Sequence, residues 1–331
     1  MNITVVVCTY NRCQSLAQAL ESVACSRMPA SVDWNVLVVD NNSRDQTPSV
    51  VEDYRRRYPN RFRYLFESRP GKSHALNAAL RAAQADVLAF MDDDVKVDPD
   101  WLHNLTSCFR DPQWAGAGGR ILPQAEFSPP SWLDTTPRYA LAPLAMFDLG
   151  LDAGELHEAP FGTNMAYRRE MFIRHGGFRT DFGPCPSGDI QHNEDSEFGC
   201  RLLTAGERLW YAPSAVVYHA TPAERITQKY FLAWWYDKSK SDVRQRELHG
   251  SESSDVGVSF TLYRRFIGWS VRWMLSVDPA RRFRSKLNVW KLLATIQEGR
   301  RLVQRAALRA NQPAPPSLVS PQEGASRDIG A

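Results

Sequence analysis

Over the first hundred residues, short apolar runs alternate with stretches whose apolar residues recur at helical spacing. Residues 3–7, 34–39, 62–66 and 87–91 read as strands, and each is followed at once by polar residues. Between them, Leu16, Leu20 and Val23 make one helical face, and Ala75, Leu76, Ala79, Leu80 and Ala83 make another. Thr47 before Pro48 reads as a cap with proline at the first helical position. This alternation predicts an α/β fold: a mainly parallel central sheet flanked by helices on both faces. Ligands of such sheets collect outside the carboxyl ends of the strands. Those ends carry Thr9-Tyr10-Asn11-Arg12, Asp40-Asn41-Asn42-Ser43, Arg69-Pro70-Gly71-Lys72-Ser73 and Asp92-Asp93-Asp94, so one rim is expected to gather all four.

Past residue 120 the pattern loosens into a passage with Pro123, Pro129, Pro130, Pro137 and Pro143, which predicts loop. Order returns with a short strand at 165–167, a helix at 169–175 closed by Gly176, a helix at 195–205 closed by Gly206, and a last strand at 216–218. From residue 223 the chain reads as helical and basic, and from Asn311 its Pro, Ser and Gly content predicts disorder. The expected organisation is an α/β domain over 1–222, a basic amphipathic helical extension over 223–310, and a disordered tail over 311–331.

Composition narrows the class. With 331 residues, 43% hydrophobic and 23% charged, the chain is globular and long enough for a large core. No stretch approaches the ~18 uninterrupted apolar residues of a membrane span; the best, 266–277, is broken by Arg272. The start lacks a basic segment followed by a long apolar stretch, which points to a cytoplasmic protein. Six scattered cysteines without a Cys-x-x-Cys pair suggest neither zinc nor a redox dithiol. Charge is uneven: 21 Lys and Arg face 27 Asp and Glu over residues 1–220, against 19 and 10 over 221–331. An acidic body and a basic tail that meets an anionic surface are expected, although basic runs are also ordinary solvated faces.

Two nucleotide signatures fail on spacing. No Gly-x-Gly-x-x-Gly follows the first strand, and Gly71-Lys72-Ser73 lacks the earlier glycine of a P-loop, where Phe66 stands. Nucleic acid is not an expected partner. The strongest local signal is Asp92-Asp93-Asp94, because adjacent carboxylates at a strand's end repel unless a cation compensates. Asp92 and Asp94, on the same side of an extended segment, suit Mg²⁺ or Mn²⁺ with a diphosphate. The bland alternative, an acidic turn before a helix at Trp101, is weakened because Asp98 before Pro99 already serves as its cap. Asp40 suits a ribose or base hydrogen bond but equally suits turn chemistry. Glu194 and Asp195 open a helix, where acids are favourable without catalysis, and a lone His219 is more often a partnered histidine than a ligand.

Taken in order, these segments resemble the family 2 glycosyltransferases of the GT-A fold over roughly residues 1–220. The likeness is carried by residues 5–12, by Val38-Val39-Asp40-Asn41-Asn42-Ser43 with Asp45 and Thr47, by Gly71-Lys72-Ser73-His74-Ala75-Leu76-Asn77, and by Phe90-Met91-Asp92-Asp93-Asp94. It continues through residues 161–169 (Phe161-Gly162-Thr163-Asn164 to Arg169), Glu194-Asp195, Arg201-Leu202, Gly206, Pro213, Ala215 and His219. The resemblance implies an inverting enzyme using a nucleotide-sugar donor, with a UDP-sugar as the family default, and Mn²⁺ or Mg²⁺. It implies metal contacts at Asp94, Asp92 and His219, and a catalytic base at Asp195. Donor contacts are implied at Thr9, Asp40, Arg69, Lys72, Asp92, Asp93 and Asn164. The Gln-x-x-Arg-Trp of processive synthases is absent after His219, which argues for single-sugar transfer to a glycan or lipid-linked acceptor. The alternatives are a metal-dependent sugar nucleotidyltransferase, disfavoured because residues 9–12 lack glycine, and an inactive nucleotide-sugar-binding relative.

In the tail, Leu262, Phe266, Trp269 and Trp273 form one stripe, and Val289, Leu293 and Ile296 form a second beyond Arg281, Arg282, Arg284 and Lys286. The pattern suits an anionic membrane interface at the inner face of the cell membrane, and suits equally well packing on the catalytic domain or an oligomer contact.

Overall fold

The structure, a computed structural model, describes residues 1–185, 192–248 and 260–310. The tail expected to be disordered therefore lies outside the described residues. The first half runs β1 (Asn2–Thr9), α1 (Cys13–Ala24), β2 (Asp33–Asp40), α2 (Thr47–Arg57), β3 (Phe62–Phe66), α3 (Lys72–Ala82) and β4 (Val87–Asp92). These strands pair in parallel in the order β3-β2-β1-β4. Side-chain alternation covers both faces: Ile3, Val5, Val7, Val36, Val38, Val87 and Ala89 enter the core under α1, α2 and α4 (Trp101–Thr106). Val6, Leu37, Val39, Leu88 and Phe90 enter the core on the opposite face, with Leu76 and Ala79 of α3. Strand order reverses between β1 and β4, which opens a crevice at their carboxyl ends.

The second half extends the sheet with mixed pairing. β5 (Val95–Val97), β6 (Trp114–Pro123), β7 (Gly154–Leu156), β8 (Met165–Arg168) and β9 (Arg208–His219) continue it beyond β4 as β8-β6-β9-β5, with β7 on β9. Here β8 runs antiparallel to β4 and β6, while β6 and β9 are parallel. β5 and β6 carry little strand signal in the sequence, because Val-Lys-Val is only three residues long and the first half of β6 is Gly- and Ala-rich. Three glycines of β6 are set by close packing: a Cβ at Gly116 would lie 2.4 Å from the Tyr167 ring, at Gly118 2.4 Å from Pro160, and at Gly119 2.3 Å from the Ala215 carbonyl. α5 (Arg169–His175) and α6 (Glu194–Thr204) complete this half.

Two expected caps differ in detail. Thr47 lies inside α2, and the Asp45 carboxylate accepts both its N–H and its hydroxyl. Asp98 accepts the N–H of Asp100 in the turn before α4.

Residues 223–310, where described, fold as α7 (Gln228–Leu248), α8 (Phe260–Leu275) and α9 (Pro279–Ala310). A separate small core joins them to the proline-rich passage through Leu133, Leu144, Met146, Phe231, Leu232 and Phe283. The Leu262-Phe266-Trp269-Trp273 stripe is half-buried and faces α9, with the Trp273 and Trp290 rings 5.8 Å apart. Val289 and Ile296 are buried on α9, which packs on both α7 and α8. Both stripes are spent on packing rather than held out to a surface.

Candidate active site

A cleft of about 530 Å³ lies at the β1/β4 reversal and is lined by residues from every rim segment. Parallel register sets Cys8 beside Asp92, so Thr9 and the three aspartates share its floor. The antiparallel β8 begins where β4 ends, with Met165 opposite Phe90, and this brings Thr163 against Asp92: its hydroxyl donates to Oδ2 at 2.6 Å. The same logic places His219. β5 starts directly after Asp94 and pairs antiparallel with the end of β9, Val95 opposite His219, leaving the imidazole Nε2 3.6 Å from Asp94. Gly71, at φ +124°, turns the chain into α3 and delivers Lys72 to the floor. Asn193, left-handed at φ 79°, turns the chain into α6 and delivers Glu194 and Asp195.

One ammonium serves two carboxylates, the half-buried Asp92 and the buried Glu194. Lys72 Nζ donates to Asp92 at 2.7 Å and stands 3.4 Å from Glu194. Burial pushes Asp92 up, but Lys72 and the Thr163 hydroxyl more than offset it and hold the carboxyl below its usual range. Glu194 has the longer contact to Lys72, and burial raises it to about 7. Burial works against the charge on Lys72, but the two carboxylates outweigh it and raise the amine. Asp93, also buried, is pushed up to about 6 despite Arg12 Nη1 at 3.2 Å. Asp195 is anchored by the chain: Gly162 N–H donates to Oδ2 at 2.5 Å, and Ser196 N–H to Oδ1 at 2.6 Å. A Cβ at position 162 would come within 3.0 Å of that carboxylate, so the absence of a side chain there permits the approach.

The sequence model of the glycosyl transferase family 2 matches residues 4–176, just over half of the chain. The chain belongs to this family. The transferase is 28% identical over 253 residues to the succinoglycan biosynthesis protein ExoM of Rhizobium meliloti, covering 76% of this chain and 74% of that protein. It is 26% identical over 266 residues to the glucosyl-dolichyl phosphate glucuronosyltransferase of Haloferax volcanii, covering 77% and 80%. Among solved structures, the mannosyltransferase PcManGT of Pyrobaculum calidifontis, in complex with GDP-Man and Mn²⁺, superposes with a TM-score of 0.58 at 22% identity. That match covers 93% of this chain and 80% of the other, and it shows the shared GT-A-like fold.

The predicted site residues of the transferase do not all meet. Thr9, Lys72, Asp92, Asp93, Asp94 and Asp195 line the cleft, with His219 behind Asp94. Asp40 is buried beneath the cleft wall, where its carboxylate accepts the Ser43 N–H and the Tyr64 hydroxyl, both at 2.8 Å. Arg69 turns back onto Glu67 through two hydrogen bonds of 2.9 and 2.7 Å. Asn164 is buried and committed to the sheet: it donates to the Arg120 and Ala215 carbonyls and accepts the Trp101 indole N–H, each at 2.8 Å. The cleft also uses residues outside the expected site. Arg225, Tyr230, Trp234 and Lys238 come from the helical extension, and Pro143 comes from the proline-rich passage. Asn193 fastens α6 to α7 by donating to Asp242 at 2.9 Å and Gln245 at 2.6 Å.

The donor set fits a hard divalent cation that takes part of its coordination from a ligand. His219 Nδ1 sits 2.7 Å from the Ala220 carbonyl, which can only accept, so a proton lies on Nδ1 and Nε2, 3.6 Å from Asp94, is the nitrogen that could ligate a cation. One carboxylate and one imidazole suit Mn²⁺ or Mg²⁺ completed by diphosphate oxygens and water. Among the described residues, no three His, Cys, Asp or Glu side chains gather into a ready-made metal cluster.

Proposed function

We propose that the transferase moves a single sugar, with inversion, from a nucleoside-diphosphate sugar to a hydroxyl of a lipid-linked or polysaccharide precursor. The observation that carries this reading is the convergence on one cleft of Asp94 with His219, Lys72, and the chain-anchored carboxylate of Asp195. Asp94 and His219 would hold Mn²⁺ or Mg²⁺, which when bound supplies neutralisation of charge on the leaving diphosphate. Asp195 accepts the proton of the attacking hydroxyl as that oxygen bonds to the anomeric carbon and the diphosphate oxygen leaves from the opposite face. Its two backbone hydrogen bonds fix the direction in which the carboxylate points. Thr9 and Asp93 stand on the nucleoside and phosphate side. Asp40, Arg69 and Asn164 serve that side from behind, Asp40 through Ser43 and Asn164 through the strands it ties.

The acceptor class follows the relatives, one named for succinoglycan biosynthesis and one for a dolichyl phosphate substrate. A lipid-linked acceptor places the enzyme at the inner face of the cell membrane as a peripheral protein; no helix among the described residues is long and apolar enough to cross a membrane. The test is a panel of nucleotide sugars, UDP-sugars first, assayed with Mn²⁺ and acceptor for nucleoside diphosphate release, with the product's anomeric configuration read by NMR. Retained configuration would refute inversion. Pyrophosphate release from a nucleoside triphosphate and a sugar 1-phosphate would move the protein to the nucleotidyltransferases.

A further inference from the structure

With its expected stripe turned toward α9, α8 presents a second apolar stripe outward. Ile267 is 61% exposed, Met274 70%, Leu275 76% and Phe260 78%, and Val271 is exposed with them. At about 100° per residue these five side chains fall within roughly 100° of arc, on the side of α8 away from Leu262, Trp269 and Trp273. Val277, just past the helix end, is 92% exposed. Arg265 and Arg272 stand on the flank between the two stripes, and Arg264 lies within the outer one. Residues 260–291 hold eight Lys and Arg (264, 265, 272, 281, 282, 284, 286 and 291) against the single acid Asp278.

A long apolar strip on a soluble surface costs free energy unless something covers it. We propose that the outer face of α8 docks onto an anionic lipid surface, with Ile267, Val271 and Met274 entering the interface and the flanking arginines meeting lipid headgroups. Charge decides between lipid and a second copy of this chain. Two such faces brought together would oppose strongly cationic segments with almost no acid between them, whereas an anionic bilayer complements both the apolar strip and its flanks. The position also suits the reaction. Trp269 of α8 lies beside Phe231 and Trp235 of α7, and α8 packs on α9, which packs on α7, the helix that presents Tyr230, Trp234 and Lys238 to the cleft, so α8 is tied to the element that lines the active site.

This inference rests on the reading of the enzyme as peripheral, and its test separates the two. Full-length protein is floated with phosphatidylcholine vesicles and with vesicles containing 30% phosphatidylglycerol (about, by mole), at low and high salt. The wild type is expected to float with anionic vesicles only, and less at high salt. I267E/V271E/M274E, which changes exposed positions alone, is expected to lower partitioning at least about tenfold. R265E/R272E is expected to weaken binding and flatten its salt dependence. Circular dichroism and nucleotide binding check that the variants are folded. No flotation by the wild type overturns the peripheral reading and the docking face together. Equal flotation by the triple variant overturns the face and leaves the peripheral reading standing. A wild-type dimer that the triple variant abolishes, without flotation, assigns the stripe to self-association instead.

Discussion

Glu194 provides a test of the buried charge cluster that needs no substrate. Its ordinary value near 4.5 rises to about 7 on folding, because burial strips its water and the Lys72 ammonium bonds more closely to Asp92. A carboxyl raised in the folded state gives stability that is fully present below its unfolded value and lost as pH climbs through its folded value. The whole loss is about 3 kcal/mol, and about 2.5 kcal/mol of it falls between pH 5 and 8. Glu194→Gln keeps the shape and removes the charge, so the variant should lack this component. Asp93, pushed up to about 6, also loses stability as pH rises, but it is common to both proteins. Urea unfolding of ligand-free protein at pH 5, 6, 7 and 8, with m constant, gives the comparison. Wild type should lose about 2 to 3 kcal/mol relative to Glu194→Gln between the extremes. A difference between the two proteins that stays constant with pH would refute the argument and place Glu194 in contact with water or a second cation.

Three further outcomes follow from the site. Asp94→Asn and excess EDTA should each abolish nucleoside diphosphate release, because Asp94 with His219 is proposed to hold the cation that neutralises the leaving diphosphate; full turnover in EDTA would remove the metal from the scheme. Asp195→Asn should lower kcat by ~10² to 10⁴ while calorimetry shows donor affinity nearly unchanged, and the reverse pattern would make Asp195 a donor contact. Asn164→Leu should cost about 3 kcal/mol or more in urea unfolding, since it leaves two carbonyls and the Trp101 indole unpaired in the core. An unchanged unfolding midpoint with lost donor binding would return Asn164 to the donor.

The sequence by itself determined the α/β class, the four parallel strands and the rim on which their polar ends meet. Each of those strands is a local apolar run, and the polar residues after it, Asp92 to Asp94 most clearly, lie at its end whatever the rest of the chain does. It also marked Lys72 and the Glu194-Asp195 pair as rim and helix-start residues. Which partner each of them meets depended on tertiary structure, because those partners are far away along the chain. Thr163 reaches Asp92 across 71 positions through the antiparallel β4/β8 register. His219 reaches Asp94 only because β5 returns along β9. β6 carried too many glycines to read as a strand, and those glycines are there for contacts with Tyr167, Pro160 and Ala215 that no local pattern reveals. The extension shows the same limit. Periodicity found apolar stripes along it, but a helix with apolar residues on two sides does not say which side meets protein, and only the packing of α8 on α9 turned Trp269 and Trp273 inward and left Ile267 and Met274 outside.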